Sequence, residues 1–210
     1  MIQVHHLNNS RSQRILWLLE ELGIDYEIVH HLRDPMIRRA PAALRDVHPL
    51  GKSPVITDGG LILAESGAII EYLIGKYGDG RLIPPPGSAD HTRYLYWLHF
   101  AEGTVMMQLL VRLYLGMVGD AAAALISVVD ADIERVLGYM ESELTPGQFF
   151  AGPALTGADI NLSFPLEAGA ARGRLPAETY PKLAAYLVAL QERPAYQRAL
   201  ERGGPYELKL

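Results

Sequence analysis

The sequence predicts two domains, a small α/β domain followed by an all-helical one. Three observations carry that expectation. Strand and helix signals alternate through the first 80 residues, a Pro- and Gly-rich run then interrupts the chain, and the long segments beyond it have helical periodicity. At 210 residues the chain also exceeds a typical domain of roughly 100 to 150 residues. The expected boundaries are 1–79 for the first domain, 80–88 for a linker and 89–210 for the helical domain.

Ile2 to His6 reads as a short strand leading into Ser10 to Gly23, where Ile15, Leu18, Leu19 and Leu22 fall on one helical face and Gly23 supplies the stop. Tyr26 to Leu32 is a second strand, so these elements make a parallel β-α-β unit with a right-handed crossover. Arg33 to Val47, with two prolines and mixed charge, reads as irregular apart from one helical turn. Asp58-Gly59-Gly60 is a hairpin signal between Pro54 to Thr57 and Leu61 to Ala64, which are therefore antiparallel. Ser66 opens a helix with Ile70, Leu73, Ile74 and Tyr77 on one face. The order β-α-β, irregular segment, β-β-α is that of a thioredoxin-like domain.

Pro84-Pro85-Pro86 and three glycines between Gly78 and Ser88 suit neither helix nor sheet and mark the linker. Past it, Ile133, Val136, Leu137, Met140 and Leu144 form one apolar stripe, and Leu183, Tyr186, Leu187 and Leu190 form another.

Composition excludes several classes. Apolar residues make up 49% and charged residues 20%, the balance of a folded globular protein. A net charge of −5 without a Lys/Arg run argues against nucleic acid as a partner. There is no cysteine, so disulfides, thiolate metal sites and a protein-borne sulfur nucleophile are excluded, and any sulfur chemistry must use a ligand's sulfur. Met1 to His6 lacks the basic start and apolar core of a secretory signal, and the most apolar stretch, Val105 to Val129, is broken by Gln108, Arg112 and Asp120. A cytosolic location without a membrane span is the resulting expectation.

Three features of the first domain carry chemistry. Ser10 lies where the first strand gives way to the first helix, and Ser10-Arg11-Ser12-Gln13 fits the S-x-x-Q capping box. A helix start also favours an anion, and a hydroxyl beside it can donate one more hydrogen bond to a bound thiolate. A thiol of pKa about 8.5 is only about 3% ionised at neutral pH, and lowering it by about two units requires about 2.7 kcal/mol. One charge-assisted hydrogen bond of about 1.5 to 3 kcal/mol, with about 0.3 to 1 from the helix end, suffices. In that role Ser10 is a donor, not a base.

The second feature is Ser53-Pro54. It reads either as a plain strand start or, in a thioredoxin-like domain, as a cis-proline edge that pairs with an extended peptide. Lys52 beside it suits a carboxylate. Third, Glu65-Ser66 opens a helix, where both residues suit simple capping. As a pair they also recognise a free amino-acid end, Glu65 accepting from the ammonium and Ser66 binding the carboxylate.

Taken together, His5-His6-Leu7-Asn8-Asn9-Ser10-Arg11-Ser12-Gln13-Arg14, His48-Pro49-Leu50-Gly51-Lys52-Ser53-Pro54-Val55 and Glu65-Ser66-Gly67-Ala68-Ile69 resemble the glutathione-site motifs of cytosolic glutathione S-transferases. The run Ser10 to Leu22 is most similar to the Gtt-type fungal branch and its bacterial relatives. Tyr96 to Gly103 resembles the start of the family's first long helix, and Phe149 to Ile160 its buried Gly-x-x-x-Thr-x-x-Asp motif, with Thr156 and Asp159 serving folding.

The resemblance implies the glutathione S-transferase fold and glutathione as co-substrate, without a metal. Ser10 would face the thiol, with Asn9 and Ser12 as competitors for that role, and Lys52, Ser53, Pro54, Glu65 and Ser66 would bind the rest of the tripeptide. It also implies an apolar wall for an electrophile at Met106, Leu109 and Leu113, a stripe that reads equally as core, and a homodimer. The expected reaction is conjugation of glutathione to a hydrophobic electrophile or reduction of a hydroperoxide. The alternative is a glutathione-binding regulatory protein without turnover. His5-His6 and His30-His31 do not suggest a metal, because adjacent residues on a strand point to opposite faces.

Overall fold

A computed structural model describes residues 1–37 and 39–208. Arg38, inside the segment expected to be irregular, and Lys209 and Leu210, at the end of the expected helical domain, lie outside the described residues. The chain forms two compact units, Met1–Ile83 joined by Gln191–Leu208, and Pro84–Leu190.

The first unit holds β1 (Ile2–Leu7), α1 (Gln13–Leu22), β2 (Tyr26–His31), α2 (Ala43–Val47), β3 (Val55–Asp58), β4 (Leu61–Ala64) and α3 (Ser66–Tyr77). The sheet order is β2-β1-β3-β4, parallel between β1 and β2 and antiparallel across the other two ladders. Ile2, Val4 and Ile56 are buried in the sheet. Ile15, Leu18, Leu19 and Leu22 on α1, with Ile69, Ile70, Leu73 and Ile74 on α3, cover it as the apolar spacing dictates. Gly23 closes α1 in the left-handed region, at φ 65°, where glycine alone meets no Cβ penalty.

The second unit is helical: α4 (Ala89–Phe100), a π-helical turn (Ala101–Met106), α5 (Met107–Val118), a short 3-10 turn (Gly119–Ala122), α6 (Ala123–Glu143), α7 (Gly157–Ala170) and most of α8 (Pro181–Gln191). Its core gathers Tyr94, Trp97, Leu98, Phe150, Ile160, Leu162 and Leu183. Thr156 and Asp159 form the reciprocal capping box at the start of α7, and Asp159 also accepts from Tyr186 at 2.7 Å and from the Phe150 N–H at 3.0 Å. Burial pushes the Asp159 carboxyl up, and these donors oppose that shift.

One expectation changes. The last helix, α9 (Pro194–Gly203), was expected within a helical domain spanning 89–210, but it packs on α1 in the first unit. Ala195, Tyr196 and Ala199 are buried there, with the Tyr196 ring edge-on to Trp17 at 5.4 Å. The polar flank is complementary as well. Arg193 binds Glu21 through two bonds of 2.5 and 3.0 Å, and Arg198 and Arg202 reach Glu20 at 2.8 and 2.9 Å. A helix this rich in arginine finds its acidic partners on α1, and sequence periodicity carries no information about that choice.

Candidate functional site

The register of the sheet brings three turns to one end of the first unit. His5 pairs with Val55, and Val55 with Ala64, so the end of β1, the start of β3 and the end of β4 lie side by side. Residues 8–12, 52–54 and 65–66 leave from these points. Both α1 and α3 begin at this end, and two helix starts make it favourable to anions.

Side chains tie the turns together. Arg14, only 1% exposed, donates from Nη2 to Ser66 Oγ at 2.7 Å and so couples α1 to the start of α3. Ser53 Oγ donates to the His5 carbonyl at 2.9 Å. Asn8 and Asn9 are held from outside the turn: Asn8 Oδ1 accepts from the Arg33 N–H at 2.8 Å, and Asn9 Oδ1 from the Glu207 N–H at 2.7 Å. Asn9 and Glu65 have φ of 53° and 72°, so a non-glycine residue occupies the left-handed region in each of two of these turns. Such backbone costs about 1 to 3 kcal/mol and persists where surrounding structure over-determines it, which is common at binding sites.

Ser10 is 3% exposed. Its Oγ lies 2.8 Å from Ser12 Oγ and accepts from the Ser12 N–H at 3.2 Å. Ser12 Oγ in turn lies 2.9 Å from His6 Nδ1 and accepts from the Leu7 N–H at 3.2 Å. The His6 pKa is lowered to about 4, chiefly by burial and next by His30. His5 and His31 are also lowered, by burial first and then by a neighbouring histidine.

The capping box expected at Ser10 and Gln13 does not form. Helix α1 begins at Gln13, Ser12 is the N-cap without a side-chain cap bond, and the Gln13 amide atoms are buried without a hydrogen-bond partner. Residues 10–13 instead close a turn through the Gln13 N–H and the Ser10 carbonyl at 3.2 Å, and the Ser12 hydroxyl is drawn to β1. A neighbouring strand outbid the local helix, which a four-residue motif cannot register.

Of the other expected site residues, Pro54 is buried after a cis peptide bond and Ser53 is half-buried. Ser66 is buried, while Lys52 and Glu65 are exposed. On the helical unit, Met106 and Leu109 are buried and Leu113 is half-buried. Among the described residues no group of three or more His, Asp or Glu stands together for a metal. The strand histidines pair across β1 and β2 instead, His5 with His31 and His6 with His30, at ring separations of 5.6 and 5.8 Å.

Three residues of this corner were missed by sequence reasoning: His6, Ser12 as a link to β1, and Arg14. Only Arg14 carried a signal, since a charge on the same turn of α1 as the buried Ile15 and Leu18 needs an internal partner.

Comparison with known proteins matches residues 4–82 to the glutathione S-transferase N-terminal domain and residues 104–194 to the glutathione S-transferase C-terminal domain. Glutathione S-transferase 3 of Schizosaccharomyces pombe is 32% identical, over 96% of this chain and 88% of its own. The chain belongs to the glutathione S-transferase family. Its first unit is therefore the thioredoxin-like domain of a transferase, and the match to a fungal relative agrees with the branch that the Ser10 to Leu22 run resembles. A glutathione S-transferase crystal structure from Actinobacillus pleuropneumoniae has a TM-score of 0.89 at 35% identity, covering 99% of this chain and 94% of the other. A sphingomonad glutathione S-transferase solved with glutathione has a TM-score of 0.79 at 29% identity, covering 96% of this chain and 98% of its own.

Proposed function

We propose that this transferase binds glutathione along the end of the sheet, with the thiol at Ser10 and the γ-glutamyl end at Glu65 and Ser66. The observation that carries the reading is the convergence of three turns, clamped by the buried Arg14 to Ser66 bond of 2.7 Å. Glu65 accepts from the ligand ammonium, Ser66 donates to its carboxylate, the backbone at Ser53 and Pro54 pairs with the tripeptide, and Lys52 meets the glycyl carboxylate. The solved sphingomonad complex with glutathione supports the choice of ligand.

Ionisation and proximity supply the catalysis. The thiolate attacks an electrophilic carbon, forming a C–S bond as the leaving group departs with its electron pair. With a hydroperoxide it attacks oxygen, breaking the O–O bond and releasing an alcohol, and a second glutathione completes the disulfide. Met106, Leu109 and Leu113 are the proposed apolar wall, and Leu113 is the one of the three with surface to offer.

Ultraviolet absorbance of the bound thiolate tests this reading. A bound thiol pKa about two units below that of free glutathione is expected. A pKa equal to the free value overturns the mechanism, and unchanged turnover in Ser10→Ala overturns the residue assignment.

We also assign a homodimer in the cytosol, with no nucleic-acid or membrane partner. The run Ala89–Glu143 contains a stretch long and apolar enough to cross a membrane by length and composition alone, little of it buried. That surface holds Met107, Val111, Tyr114 and Val118, exposed at helical spacing on α5. A second copy of the chain is the occupant we assign to it. Arg112 on α5 binds Asp130 on α6 at 2.9 Å, and Arg174, beyond α7, binds the same carboxylate at 2.8 Å; ionic groups on α5 and α6 suit an aqueous protein better than a bilayer.

A further inference from the structure

Behind Ser10 runs a buried chain of hydrogen bonds through Ser12 to the His6 ring. Its far end lies beside Gly203, the last residue of α9, which stands on the Nε2 side of the His6 ring and whose backbone raises the ring's pKa against the effect of burial. A backbone group that favours the protonated ring is a carbonyl accepting from it, and with Nδ1 facing Ser12 the ring nitrogen on that side is Nε2, which we take as the protonated one. Burial and the neighbouring His30 and His31 keep the ring neutral, and a neutral ring protonated at Nε2 offers Nδ1 as an acceptor. Ser12 therefore gives its proton to His6 across 2.9 Å. Its own oxygen then accepts from the Leu7 N–H at 3.2 Å and from Ser10 at 2.8 Å. Ser10 is left with its proton inward, one lone pair filled by the Ser12 N–H at 3.2 Å, and one lone pair for a ligand.

We infer that His6 and the Gly203 carbonyl, acting through Ser12, are positioning residues that hold the Ser10 proton inward, so that Ser10 must turn it outward to meet a thiolate. The inference rests on the proposed placement of the glutathione sulfur at Ser10. Two sites far apart in sequence thereby meet: the end of α9 sets the polarity of a hydroxyl in the turn before α1. The chain does not act as a base. A ring with pKa about 4 is a far weaker acceptor than a thiolate, whose parent thiol has pKa about 8.5. Moving the thiol proton along the chain to His6 is therefore strongly uphill. What the chain controls is direction, since each link forces the next hydroxyl to donate toward β1.

Removing Ser12's hydroxyl has an effect that a structural serine would not produce. In Ser12→Ala the Ser10 proton has no inward acceptor and turns to the sulfur, so the ionisation constant of bound glutathione rises about three- to tenfold. The gain disappears in Ser10→Ala/Ser12→Ala. An unchanged or reduced ionisation constant in Ser12→Ala overturns the inference.

A second measurement needs neither variant nor glutathione. Nitrogen-15 NMR of the unliganded wild-type chain should show His6 as the Nε2–H tautomer with a hydrogen-bonded, unprotonated Nδ1. An Nδ1–H tautomer overturns the inference whether or not the chain binds glutathione. If instead His6 has the expected tautomer and the wild-type complex shows no lowered thiol pKa, the inward hydroxyl stands and the thiolate role of Ser10 falls.

Discussion

His6 shows how a single side chain feels the whole fold. Its pKa is near 4 in the folded chain, against 6.5 in an unstructured one, so between those values the unfolded chain binds more protons and stability falls as pH is lowered. Above pH about 6.5 the group contributes no pH dependence, and its full loss, on the order of 3 kcal/mol, is reached near pH 4. His5 and His31 are shifted in the same direction and add to the slope. Urea midpoints measured from pH 7.5 to 4.5 should therefore drop, with a shallower drop in His6→Asn. In the helical unit, Tyr186→Phe removes one of the donors to the buried Asp159 and should cost about 1 to 3 kcal/mol in chemical denaturation. Arg14→Met leaves the Ser66 hydroxyl without its 2.7 Å donor. It should raise the calorimetric Kd for glutathione about tenfold or more, since the start of α3 is then unclamped.

At the scale of elements, α1 and α9 act as one unit although 171 residues lie between Leu22, the end of α1, and Pro194, the start of α9. Glu20 accepts from Arg198, Arg202 and the Tyr26 hydroxyl, and Glu21 from Arg193 and the Trp17 indole N–H. Isolated exposed pairs contribute about 0 to 1 kcal/mol, but these carboxylates are mostly covered and each holds several donors. Glu20→Ala combined with Glu21→Ala should release α9 before the rest of the unit, read as loss of amide protection confined to residues 194–203. Close packing makes the same contact sensitive to volume. A Cβ at Gly203 would stand 2.7 Å from Gln13 Oε1 and 2.9 Å from a Leu16 methyl, both buried. Gly203→Ala should therefore lose about 1 kcal/mol or more despite alanine's better helix propensity.

For the whole molecule, the decisive surface is the exposed apolar stripe on α5. Monomers rarely leave so many large apolar side chains contiguous in water. Tyr114→Lys with Met107→Lys should convert a dimer to a monomer in light scattering while leaving the secondary structure intact, because both side chains are already exposed. A wild-type chain that scatters as a monomer at micromolar concentration would remove the dimer proposal.

The sequence alone determined the element order, because periods of 2 and 3.6 are local properties that burial enforces: the hairpin at Asp58-Gly59-Gly60 and the stop at Gly23 are found where those rules put them, and the Thr156 to Asp159 box where the family resemblance put it. It also singled out Ser10 and Ser66, since strand-to-helix turns announce themselves within a few residues, and Ser53, since a proline marks the start of the strand after it. Tertiary structure alone decided which unit α9 joins, that Ser12 bonds to β1 in place of capping α1, and that Arg14 reaches Ser66 across 52 positions. Those choices depend on which buried donor meets which buried acceptor once the chain has closed, and hydrophobic spacing along one segment holds no record of it.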